Sequence, residues 1–160
     1  MKKTIILTLF VVYIISVAYM LFFMRSSLWG VLTYGEYFHE YTNFVPFRTV
    51  DEFIGYLRTN DDIYGDISAE NIFGNFLAFL PTGLFFPAIW KKQRRFVRFL
   101  LTASAVIIGV EMIQFITMCG ACDIDDFILN IAGAVTGFVF SRINIIKRLT
   151  FFDVSLIKGE

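Results

Sequence analysis

Histidine, cysteine and proline are scarce in this chain: one, two and three copies among 160 residues. A single histidine excludes a zinc-type His pair, and no Ser-His-Asp set is present, so His39 is expected to be an exposed or interfacial side chain. Cys119 and Cys122 are too few for a disulfide scaffold, and their C-x-x-C lacks the βαβ context of a thioredoxin-like motif. An oxidising exterior would let them pair, but two small, partly buried thiols need no assigned role. There is no glycine-rich phosphate loop, no EF-hand spacing, no internal repeat and no polar linker, so one domain over residues 1–160 is expected. Charge is sparse as well, at 18% with a formal net of zero, which leaves no nucleic-acid signature. Neither a metal nor a cofactor is expected.

Apolar residues are abundant instead. They make up 57% of the chain, with 20 Phe, and mean hydropathy is +0.67. A soluble domain averages about 45–50% apolar. The expected fold is all-α, a polytopic membrane bundle of about four transmembrane helices. Residues 5–24 carry no charge and are long enough to cross a ~30 Å hydrocarbon core at 1.5 Å per residue. That length also favours an uncleaved helix over a signal peptide. Residues 72–90 and 99–118 give the second and third spans. Residues 127–146 give a fourth only if Arg142 snorkels and the helix runs on towards Ile146.

Charge sorting sets the expected orientation in the plasma membrane. Lys2 and Lys3, the run KKQRRFVR at 91–98, and Arg142, Lys147, Arg148 and Lys158 are basic. The loop of residues 25–70 is mainly acidic, and the next loop has three aspartates and no base. The positive-inside rule then places both termini in the cytoplasm and both acidic loops outside. Within the outer loop, GEYFHEYTNF suits a headgroup interface. Thr49 and Glu52 have capping-box spacing, and Val50, Phe53, Ile54 and Leu57 fall on one helical face, predicting an amphipathic surface helix. TNDDIYGD reads as a turn, with the next helix starting near Ser68 and Glu70.

Polar residues inside apolar helices carry most of the functional information, because a carboxylate near mid-membrane costs roughly 2–3 kcal/mol on insertion scales. Glu111 and Gln114 share a face that Ser104 and Ile107 continue. Asn71, Asn75, Ala78 and Thr82 lie on one side of the second span. Asp123, Asp126, Asn130, Gly133 and Gly137 lie on one side of the fourth, where Gly133 and Gly137 form a small-xxx-small packing seam. The polar members all fall in the outer leaflet, which suggests one polar pocket open outwards and closed below by tight packing. Clustered Glu111, Asp123, Asp125 and Asp126 would raise one another's pKa values, so Glu111, Asp123 and Asp126 are the candidates for acid–base chemistry.

Four blocks, in order, resemble the VanZ-like family of membrane proteins. They are NFVPF at 43–47, NIFGNFLAFLPTG at 71–83, EMIQF at 111–115 and GACDIDDFILNIAGAVTG at 120–137. Many members carry an arginine just before the first aspartate of the last block. Ala121 and Cys122 stand there here, so a phosphate role for that arginine is not carried over. The resemblance adds Asn43 and Pro46 to the binding candidates Asn71, Asn75, Glu111, Gln114, Asp123, Asp126 and Asn130. It implies a cell-envelope role, with low-level resistance to the glycopeptide teicoplanin known for the founding member. The implied partners are membrane lipids and a lipid-linked cell-wall precursor or the glycopeptide. An intramembrane enzyme acting on a lipid or isoprenoid phosphate, and a structural or accessory membrane protein, are the alternatives.

Overall fold

The computed structural model describes residues 2–23, 32–59 and 62–150. Parts of the long loop and the C-terminal tail therefore lie outside the described residues. Among the described residues seven helices run in the order α1 (Lys2–Phe22), α2 (Tyr34–Glu40), α3 (Arg48–Thr59), α4 (Asp62–Ile89), α5 (Phe96–Ile116), α6 (Ile124–Phe140) and α7 (Asn144–Thr150). A 3₁₀ turn, Lys91–Arg94, joins α4 to α5. Two strands of two residues, β1 (Thr42–Asn43) and β2 (Cys122–Asp123), pair in parallel. The fold is all-α, as its composition predicts.

Among the described residues three helices are long and apolar enough to cross a membrane: Lys3–Phe22, Ser68–Ile89 and Phe96–Ile116. Their outward residues, such as Ile15, Leu77, Leu101 and Met112, are exposed, as lipid-facing positions must be. Helix α6 has 17 residues, about 25 Å. It starts at Ile124 and ends at Phe140, so it does not run on towards Ile146. Ser141 closes it: its backbone N–H bonds Gly137 O and its hydroxyl turns back to Phe138 O at 2.6 Å. Helix α4 begins at Asp62, so the predicted TNDDIYGD turn is helical wherever it is described. Stacking of Tyr56 on Tyr64, 5.6 Å between centroids, joins α3 to this extra length.

The core runs along one face of each long helix. Phe99, Ala103 and Ile107 of α5 meet Ala134 and Phe138 of α6 and Ala78, Phe79 and Phe86 of α4. Without water to expel, close packing and hydrogen bonding hold such helices together. The tightest seam is α4 on α6. A Cβ on Gly133 would lie 1.9 Å from Phe76 O, and one on Gly137 would lie 1.9 Å from Leu80 O. Only glycine fits at this approach of the two backbones. Helix α1 joins through Phe10 and Tyr13, whose rings pack on Phe85, and Tyr13 Oη bonds Thr82 Oγ1 at 2.7 Å.

The bundle has an acidic end and a basic end. The start of α1 lies beside the end of α4 through Ile6 and Ala88. Gln114 near the end of α5 bonds Leu21 O near the end of α1.

Candidate functional site

At the acidic end buried polar side chains form hydrogen bonds across helices. Asn75 is 4% exposed. Its amide donates to Asn71 Oδ1 at 3.0 Å and to Asp126 Oδ1, bridging α4 to α6. Asn130 Nδ2 donates to Glu111 Oε1 at 2.9 Å, bridging α6 to α5. Gln114 Nε2 donates to Leu21 O at 3.1 Å, which brings in α1. Of the stripe residues, Asn75, Gln114, Asp126 and Asn130 are buried and Asn71 and Glu111 half-buried. Asn71, Asn75, Asp126, Asn130 and Glu111 form two cross-helix links.

The other aspartates hold the loop. Asp123 caps α6 by accepting from Asp125 N at 2.8 Å. It also accepts from Asn43 Nδ2 at 3.1 Å and from Thr49 Oγ1 at 3.2 Å. Asn43 Oδ1 takes Val45 N at 3.0 Å, turning the chain towards Pro46. The Asp125 carboxylate accepts from Phe47 N and, at 2.7 Å, from Thr49 N. Those are orphan donors at the start of α3, satisfied here by a carboxylate from another helix. The clasp also holds Phe47 at φ 66, a conformation few bulky residues adopt.

The predicted Thr49 capping box therefore does not form. Thr49 lies inside α3, and Glu52 pairs with Arg48 at 2.9 Å. A capping box exists instead on α2, between Thr33 and Glu36. The aromatic segment before it is not wholly interfacial. Tyr37 is fully buried, stacked on Tyr41 and packed on Phe115, and its hydroxyl donates to Gly120 O. His39 is exposed, as expected. Cys119 and Cys122 are free thiols, and burial pushes the Cys122 thiol above its ordinary pKa, with Glu111 and Asp123 adding to the rise.

Two cavities flank the β1–β2 pair. One is an apolar cleft of about 320 Å³ between α5 and the start of α6, walled by Ile108, Met112, Phe115, Ile124 and Phe127. Phe44 and Cys122 edge it, and Glu111 and Asp123 are its two carboxylates. The other, about 180 Å³, is polar and lies under the loop among Asn43, Arg48, Thr49, Glu52 and Asp123. Asp123 lines both. No group of acidic, histidine or cysteine side chains suited to a metal ion occurs among the described residues.

A family model described as VanZ/LLP1 matches residues 10–147. The chain belongs to this VanZ-like family. Comparison with curated proteins returns no match, and neither does comparison with solved structures. The VanZ-like blocks meet at one place in the fold. The NFVPF block is the loop held by Asp123 and Asp125, and the helical blocks supply the Asn75–Asp126 and Asn130–Glu111 links. Spacing within the sequence does not single out Tyr13 or Tyr37 and reads Thr49 only as a helix cap, because each acts through a distant partner that periodicity does not identify. Asp125 could be seen as one acid of a cluster, but not as the acceptor for a loop helix.

Proposed function

We propose that this VanZ-like chain is a multi-pass plasma-membrane protein with both termini cytoplasmic, α6 serving as the fourth span and the acidic end facing outwards. There it engages a lipid-linked cell-wall precursor or a glycopeptide and gives low-level teicoplanin resistance. The apolar cleft between α5 and α6 is the observation that carries this reading. Its volume, about 320 Å³, falls in the range of small-ligand pockets, and its walls suit a hydrocarbon chain. The adjoining polar cavity under the loop suits a hydrated head group. The carboxylates Glu111, Asp123 and Asp126 are bonded to asparagines of other segments, which favours binding and support over acid–base turnover.

The test is teicoplanin susceptibility of a sensitive host expressing the wild type, Glu111→Gln or Asp126→Asn at matched membrane abundance. Protection by the wild type that falls at least fourfold in Glu111→Gln supports the reading. Absence of protection by the wild type overturns the resistance role, and equal protection by both variants overturns the site. Turnover of an envelope lipid by purified protein, abolished by the same substitutions, would establish the enzymatic alternative instead.

A further inference from the structure

The opposite end of the bundle carries a second feature that the outward site does not use. No acidic residue occurs between Lys91 and Val110 or between Phe127 and Phe152, and the fold gathers the cations of both stretches. The 3₁₀ turn Lys91–Arg94 caps the end of α4, and Gln93 Nε2 ties it to Thr102 of α5 at 3.0 Å. Arg94 Nε donates to Pro87 O at 3.0 Å, a carbonyl near the end of α4. Arg142 donates to Arg94 O, and its guanidinium lies 4.4 Å over the Phe138 ring. Arg142 is thereby fixed on the backbone of the 3₁₀ turn and on an aromatic face, while the Arg94 side chain is held by α4. Helix α7 returns against α4 and adds Lys147 and Arg148 in its last turn.

Cations gathered at one end of the bundle repel one another, so the arrangement favours a bound anion. The surroundings indicate which kind. Trp90, Phe96 and Ile145 are 45%, 46% and 71% exposed beside these cations, forming an apolar collar under a basic rim. A soluble anion would gain nothing from that collar, whereas a phospholipid would lay its chains on it and its phosphate on the arginines. From this geometry we infer that the basic end, built from the 3₁₀ turn, the end of α6 and α7, is a binding site for the phosphate head group of an anionic phospholipid. This site is independent of the outward cleft and of what that cleft binds.

The full chain in detergent is titrated with phosphatidylglycerol, phosphatidylcholine or sodium phosphate, following lipid adducts by native mass spectrometry and thermal stability. Phosphatidylglycerol is expected to bind at least tenfold more tightly than phosphatidylcholine and to raise the melting temperature. Neutralising one cation should weaken it roughly fivefold, the size of one charge at an anionic surface. Arg148→Gln and Lys92→Gln each remove an exposed cation of the site and need not disturb the fold, and Arg58→Gln at the acidic end should bind as wild type. Equal binding of the two lipids, or unchanged binding in both Arg148→Gln and Lys92→Gln, overturns the site. Displacement of phosphatidylglycerol by millimolar phosphate overturns the lipid assignment in favour of a soluble anion.

Discussion

Neighbouring aspartates at the start of α6 have separate tasks, set by where each side chain falls on the first turn. Asp123 caps its own helix and reaches the loop, Asp125 caps α3, and Asp126 turns inward to Asn75. Removing the Asp125 carboxylate leaves Phe47 N and Thr49 N without their acceptor and stops holding Phe47 at positive φ. Asp125→Ala should cost about 2 kcal/mol, the usual range for hydrogen bonds to a charged group, and should open the loop to protease before the bundle melts. Limited proteolysis beside a thermal melt checks this, with the exposed Asp51→Ala as control. A loop as resistant as wild type would show that the clasp contributes little. Cys122 offers a second residue-scale measurement. Its thiol pKa is raised by burial, so in a Cys119→Ser background alkylation should be slow near neutral pH and should accelerate only above the ordinary thiol range. Rapid labelling at pH 7 would contradict that environment.

Among the helices, the seam between α4 and α6 is the least tolerant of change. A methyl at Gly137 would meet Leu80 O at 1.9 Å, so Gly137→Ala must push the two backbones apart. Gly109 has nothing within 4 Å of a built Cβ and is the matched control. The expected loss for Gly137→Ala is about 1–3 kcal/mol, the common cost of overpacking, while Gly109→Ala should melt as wild type. Periodicity revealed this seam because small residues repeating every four positions in an apolar helix have few other uses. It revealed the inward polar stripes equally well, since Asn75, Gln114, Asp126 and Asn130 are all buried. Helix ends were less legible. Hydropathy alone would let α6 run on to Ile146, but a serine hydroxyl turned onto Phe138 O and an arginine drawn to Arg94 O end it at Phe140. Likewise the polar stretch from Asp62 resembles a turn, yet contacts with α3 keep it helical. The pairing of β1 with β2, between segments far apart in sequence, leaves no local signal at all.

Across the whole molecule, charge is separated along the bundle axis, and this yields a prediction about topology that the helix lengths leave open. Three helices satisfy the length and hydropathy needed to span, whereas α6, at 17 residues, falls a little short of a ~30 Å core. With three spans the ends of the chain would lie on opposite sides; with four they lie on the same side. The positions of the cations favour the proposed four. Lys3, the 3₁₀ turn and α7 sit at one end of the bundle, while Asp123 at the start of α6 sits at the other, so α6 runs between the two ends. Its buried face is covered by α4 and α5, which lets a short helix cross with Arg142 reaching the interface. Reporter fusions should therefore show the N-terminus, the 91–94 turn and the C-terminus all in the cytoplasm, and a fusion in the 117–122 turn outside. Replacing Lys91, Lys92, Arg94 and Arg95 by glutamine should weaken that bias and produce a mixture of orientations, because these residues make up most of the basic loop. A C-terminal reporter found outside would limit the chain to three spans and place α6 on the membrane rather than through it.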